Sequence, residues 1–244
     1  MQRVKLLCFP YAGGSASSFN TWRKFIDPSI ELIPVELAGR GRRFKEPFYE
    51  TFDEAVQDVY QQIKAYIEDG CYALFGHSMG SWLAYEVYYA IRRAGGKHPL
   101  HLFVSGRQAP QLESETNYSG MADSDFINVL RAFGGTPDDI LDNPLILDVI
   151  LPIIKNDFQI IENYKFVEKD ESIACDMTIL TGRSDSNIRF EDLLLWKNLT
   201  DCSSPIYEMN GGHFFITEYP EEVTKVINQV LSAKSFNSSV GRTV

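Results

Sequence analysis

The 244-residue chain predicts an α/β fold, a mostly parallel sheet flanked by helices and interrupted by a helical insertion. Short apolar runs recur with helical stretches between them, which is the pattern of a parallel sheet covered on both faces. One run ends in Gly76-His77-Ser78-Met79-Gly80 and leads directly into a helical stretch. From about residue 107 to 167 the strand pattern stops and helical periodicity takes over.

The strand-like runs are residues 4–9, Leu32-Ile33-Pro34-Val35, residues 72–75, Leu100 to Ser105 and Met177-Thr178-Ile179-Leu180. After Ser78, the residues Leu83, Val87, Ala90, Ile91 and Ala94 keep helical spacing until Gly95-Gly96 ends the helix. The insertion carries two helical patterns. One contains Phe126, Leu130 and Phe133, and the other runs from Leu145 to Tyr164 around Pro152. The second is apolar nearly all round, so it is expected to be covered on one side and to face a lipophilic channel on the other. Residues 1–234 read as one domain with this lid, and residues 235–244, rich in Ser and Asn, as a frayed tail.

With 44% hydrophobic and 23% charged residues, the chain can bury a full core without disulfides or metal. A net charge of −10 argues against nucleic acid or an anionic membrane as the main partner. Arg40, Arg42, Arg43 and Lys45 form a local basic patch, read as a solvated loop or a docking point for an acidic partner. Cys8, Cys71, Cys175 and Cys202 are scattered and include no C-x-x-C pair, so no zinc site or disulfide framework is expected. Cys8 and Cys71, in or beside apolar runs, are expected to be buried. No stretch reaches transmembrane length and no secretory leader pattern opens the sequence, which points to the cytoplasm.

The Gly76–Gly80 segment reads as a nucleophile elbow of the α/β-hydrolase type. A serine hydroxyl is a weak nucleophile, and a sharp strand-to-helix turn lifts its oxygen clear of the sheet beside a free backbone N–H. Glycines flank the turn because a Cβ there would press on the neighbouring strand or helix. In this fold the acid and the histidine follow the serine along the chain. His77 belongs to the elbow and His98 and His101 come too early, which leaves His213, in Gly211-Gly212-His213-Phe214-Phe215, as the base. Asp185, after the Met177–Leu180 run and a turn at Gly182-Arg183-Ser184, fits best as the acid that orients the imidazole. Glu191 and Asp192 fall within the next helix, Asp201 in a later loop, and Glu208 in a strand that would aim it poorly. Backbone N–H groups of Met79 and of Ala12, in Phe9-Pro10-Tyr11-Ala12-Gly13-Gly14, are the expected oxyanion donors.

These segments resemble the type II thioesterases, free-standing α/β hydrolases of nonribosomal peptide and polyketide assembly lines. The resemblance also covers Glu36-Leu37-Ala38-Gly39-Arg40-Gly41 with Glu46-Pro47, Ser105-Gly106-Arg107-Gln108-Ala109-Pro110, Gly134-Gly135-Thr136-Pro137, and Leu151-Pro152 with Asp157-Phe158, in family order. Two positions depart from the family: Ser186 stands where a proline follows the triad aspartate, and Ala38 where proline is common. The resemblance implies hydrolysis of misprimed or stalled acyl groups from the phosphopantetheine thiol of acyl or peptidyl carrier proteins, by a monomer that needs no metal or other cofactor. Rival expectations are a general carboxylesterase or acyl-coenzyme A thioesterase, acyl transfer to a nucleophile other than water, and a non-enzymatic binding module on the same fold.

Overall fold

The computed structural model describes residues 3–112 and 117–240, the side chains of 235–240 excepted. The chain forms β1 (Val4–Phe9), a 3-10 segment over Ala16–Lys24, β2 (Ile30–Pro34), α1 (Phe52–Ile67), β3 (Tyr72–His77), α2 (Met79–Arg93) and β4 (Leu102–Ser105). It continues as α3 (Asp123–Phe133), α4 (Asp138–Leu141), α5 (Pro144–Glu162), β5 (Met177–Gly182), α6 (Phe190–Leu194), β6 (Ile206–Met209), α7 (Phe215–Glu218) and α8 (Pro220–Val240).

The six strands pair in parallel in the order β2-β1-β3-β4-β5-β6. Successive side chains of a strand point to opposite faces, so each strand feeds two cores. Leu7, Phe9, Tyr72, Leu74, Leu102 and Val104 pack with Val56, Val59 and Ile63 of α1 and Leu83, Val87 and Ile91 of α2. Leu6, Cys8, Ala73, Phe75 and Phe103 face the other way, onto Phe19, Trp22 and the α8 residues Val223, Ile227 and Leu231. Because both faces are covered, the strands read as continuous apolar runs rather than as alternating ones. The winding reverses at β1, which has β2 on one side and β3 on the other. In open parallel sheets such a switch point leaves a crevice beyond the carboxyl ends of the strands, which here are Phe9 of β1 and His77 of β3.

Local signals place the elements around this crevice. Thr51 caps α1 by accepting a hydrogen bond from Glu54 N at 3.2 Å, with Asp53 and Glu54 in the first turn. Between β4 and β5 the chain builds α3, α4 and α5, whose Phe126, Leu130, Leu141, Leu151 and Ile154 form a third apolar cluster. Pro152 lies inside α5, which continues through it.

Of the stretch 235–244, expected to be a frayed tail, residues 235–240 are assigned to α8 and residues 241–244 lie outside the described residues. Ser and Asn cost a formed helix only about 0.5 kcal/mol each, and neither Gly nor Pro intervenes before Gly241. Two sequence expectations are corrected. Cys71 is partly exposed, whereas Cys8 and Cys175 are buried and Cys202 is exposed. The basic patch is not one surface. Arg40 is buried, Arg43 is paired with Glu46 and Asp58, and only Arg42 and Lys45 stand in solvent.

Candidate active site

Ser78 follows β3 and opens α2, and its backbone adopts φ +53° and ψ −118°. Among the described residues it is the one non-glycine with positive φ. Such a conformation costs about 1–3 kcal/mol and persists only where its surroundings enforce it. Here Ser78 N donates to Ser105 O at 2.7 Å, and the Ser81 hydroxyl bonds both Gly76 O and Ser105 O at 2.9 Å. Ser78 occupies the N-cap position of α2, yet its side chain caps nothing. Its hydroxyl is therefore left for the crevice, at the positive end of the helix dipole.

Two loops come together on the other side. Arg183 N donates to Met209 O at 2.9 Å and Ser184 N to Gly211 O at 3.0 Å, so the loops after β5 and β6 run side by side. Gly182 permits this approach, since a Cβ there would stand 2.8 Å from the Gly211 carbonyl oxygen. The Asp185 carboxylate, fully buried, lies 2.7 Å from His213 Nδ1, and its second oxygen accepts Asn187 N at 3.0 Å. A carboxylate in this position fixes the tautomer that carries a proton on Nδ1 and leaves Nε2 basic. Of the other acids weighed in the sequence, Asp192 pairs with Arg189, and Glu191, Asp201 and Glu208 are exposed.

His77 has a role that sequence reasoning did not find. It is fully buried, with Nδ1 2.9 Å from the Ser105 hydroxyl and its ring centroid 5.2 Å from that of His213. Burial, and then the neighbouring His213, hold His77 well below the ordinary histidine range. It is a neutral wedge behind the His213 ring. The sequence signal was its place beside the elbow, which does not reveal that Ser105 faces it from the next strand.

Ser78 opens onto a cavity of about 180 Å³ lined by Tyr11, Ala12, Gly13, Leu130, Phe133, Gly135, Thr136, Ile150, Ile154, Phe158 and Phe214. His213 stands against two of these walls, with ring centroids 5.1 Å from Phe214 and 6.1 Å from Phe133. None of the lining side chains is charged. The lining comes from the loop after β1, the elbow, α3, the α3–α4 connection, α5 and the β6–α7 loop. The backbone N–H groups of Ala12 and Met79 have no acceptor among the described residues.

The insertion is tied to the loop after β2 by a buried ion pair and to the loop after β1 by a hydrogen bond to the same carboxylate. Asp157 of α5 is fully buried and receives Arg40 Nη1 at 2.5 Å, Arg40 Nη2 at 2.7 Å and Gly13 N at 2.7 Å. Breaking such a pair from one side costs about 3–5 kcal/mol, because a buried charge is left alone. Among the described residues no helix is long and apolar enough to cross a membrane, and no group of three or more His, Cys, Asp or Glu is arranged to hold a metal.

A parallel sheet with a serine on a strained elbow and a histidine–aspartate pair at its carboxyl edge defines the α/β-hydrolase class. Within it the chain belongs to the thioesterase family, whose domain model matches residues 4–232, and it is a hydrolase acting on thioesters. It is 33% identical over 222 residues to the gramicidin S biosynthesis protein GrsT of Aneurinibacillus migulanus, covering 91% of this chain and 86% of that one. Among solved structures, ClbQ from the colibactin NRPS/PKS pathway superposes with a TM-score of 0.92 at 33% identity, covering 96% of this chain and 99% of that one. The RedJ thioesterase of the prodiginine pathway in Streptomyces coelicolor superposes with a TM-score of 0.86 at 32% identity, over 93% and 85% of the two chains.

Proposed function

We propose that this chain is an editing type II thioesterase that hydrolyses misprimed or stalled acyl groups from the phosphopantetheine arm of carrier proteins in a nonribosomal peptide or polyketide assembly line. Its supports are the resemblance to enzymes of such pathways and, within the molecule, one observation above others: the buried Asp185 carboxylate 2.7 Å from His213 Nδ1, beside a cavity onto which Ser78 opens.

In this reading Ser78 Oγ attacks the thioester carbonyl and gives its proton to His213 Nε2. The negative oxygen that forms accepts from the Ala12 and Met79 amides. As the C–S bond breaks, the thiol leaves with the proton held on His213, and the acyl group stays on Ser78. Water, deprotonated by the same nitrogen, then attacks the ester and frees the carboxylic acid. Asp185 orients the imidazole and stabilises its cationic form. These steps draw on no metal or nucleotide. The uncharged cavity favours an apolar acyl group over one bearing a free ammonium, which would lose its hydration without gaining a partner. Arg42 and Lys45 are the cations of the Arg40–Lys45 stretch left to meet an acidic carrier.

The test is intact-protein mass spectrometry of an acyl-phosphopantetheinyl carrier protein incubated with the wild type, Ser78→Ala and Asp185→Asn. The expected result is loss of the acyl mass with the wild type, none with Ser78→Ala, and a rate lower by about 10³–10⁴ with Asp185→Asn. Retention of the acyl group by the carrier, while a simple ester or acyl-coenzyme A is cleaved, replaces this reading with a carboxylesterase or acyl-coenzyme A thioesterase.

A further inference from the structure

The loop that presents the Ala12 amide is held from the lid. Gly14 N donates to Tyr11 O at 2.8 Å, closing a tight turn with Ala12 and Gly13 at its centre, and Gly13 takes φ +77°. Positive φ at the third turn position is the habit of a type II turn, and it leaves the central peptide dependent on an outside partner for its orientation. That partner is Asp157, which accepts Gly13 N at 2.7 Å. Arg40 completes the clasp from below: Nη1 bonds both Asp157 and, at 3.1 Å, the Gly14 carbonyl. One turn earlier on α5, Ile154 presses on the same residue, since a Cβ on Gly13 would stand 2.6 Å from Ile154 Cγ1. Ile154 also lines the acyl cavity. A single helix thus lines the cavity with one side chain and grips the turn beside it with another.

A buried ion pair is a poor way to gain stability, because apolar residues of the same volume often do as well or better. What Asp157 and Arg40 supply and an apolar contact cannot is direction: a planar fork on a carboxylate, and an acceptor for one chosen amide. We propose that Asp157, held by Arg40, is a positioning residue for the oxyanion donors, through which the lid helix α5 sets the alignment of the Ala12 amide with the amide of Met79. This rests on the reading of Ser78 as nucleophile and of Ala12 as oxyanion donor. The negative oxygen of the tetrahedral intermediate needs both donors at hydrogen-bond distance, whereas the ground-state carbonyl does not. Displacement of Ala12 therefore lowers kcat and leaves KM nearly unchanged.

The experiment compares wild type with Asp157→Asn, Arg40→Lys, the double variant Arg40→Met/Asp157→Leu, and Asp123→Asn as a control. Asp123→Asn breaks an exposed ion pair with Lys155 of the same helix. For each, kcat and KM are measured on an acylated carrier protein, reactive serines are counted by exhaustive fluorophosphonate labelling, and an alkyl boronic acid, which binds as a tetrahedral anion on serine, is titrated as inhibitor. The expected outcome for Asp157→Asn and for the double variant is a fall of about 10–100-fold in kcat per labelled serine, KM within about two-fold of wild type, and boronic acid affinity weakened in step with kcat. Arg40→Lys, which keeps the charge and loses the fork, lies between, and the control matches wild type. The apolar double variant separates folding from positioning, because it restores packing without restoring direction. If it keeps wild-type kcat per labelled serine, or if KM rises while kcat and boronic acid affinity stand, the assignment is overturned. A wild type that neither labels at Ser78 nor releases the acyl group overturns the underlying reading first, whatever Asp157 does.

Discussion

Gly76 and Gly80 meet across the elbow, and neither has space for a side chain. A Cβ on Gly76 would overlap the Gly80 carbonyl, and a Cβ on Gly80 would stand 2.8 Å from the Pro10 oxygen. The obstructing atoms are backbone, so no rotamer change relieves them. Gly76→Ala is expected to destabilise the fold by roughly 3 kcal/mol and to lower turnover at least ten-fold by shifting Ser78. Gly134→Ala is the comparison, since a Cβ there meets nothing within 4 Å and its φ of +77° costs only about 1–2 kcal/mol. Urea unfolding of the two variants checks this, and equal losses would count against a sterically closed elbow.

The elbow glycines were readable in the sequence because the constraint is local, as were the strand runs at residues 4–9 and 72–75 and the helical spacing after Ser78. Residue types and chain order also pointed to Asp185 and His213 as neighbours, and the structure brings them within hydrogen-bond distance. The Arg40–Lys45 stretch was misread for the opposite reason. A run of cations in a loop looks solvated unless its counter-charges are near in sequence, and the partner of Arg40 lies 117 residues away on α5. His77 and Ser105 likewise meet only because β3 and β4 are adjacent strands.

Phe158 is expected to limit the acyl group. Its ring lines the cavity and is held edge-on by Phe126 at 5.3 Å and Tyr118 at 5.8 Å between centroids. Phe158→Ala removes that wall. Hydrophobic pockets discriminate by about 1–3 kcal/mol for such changes in fit, so the ratio of kcat/KM for an octanoyl over an acetyl thioester is expected to rise about ten-fold. A matched series of acyl carrier substrates measures it. An unchanged ratio would mean that the chain does not extend toward Phe158.

Acid sensitivity is expected to come in part from a histidine remote from the site. His101 is buried just ahead of β4, with Nε2 2.8 Å from the Thr178 hydroxyl and Nδ1 without a partner among the described residues. Burial above all, then Lys234, push its pKa down to about 4, against a smaller upward pull from Asp176. Above its ordinary value near 6.5 the imidazole is neutral in both folded and unfolded chains, and stability is unaffected. Between that value and about 4 the unfolded chain binds a proton that the folded one refuses, so stability falls as pH falls. Below about 4 both states are protonated and the loss levels off. The full loss is on the order of 3 kcal/mol, and His77, depressed by burial too, adds in the same direction. Denaturant unfolding from pH 7.5 down to 4.5 should show the decline, and His101→Gln should remove about 2 kcal/mol of it. The same slope in wild type and variant would show that His101 takes up its proton without opening the fold.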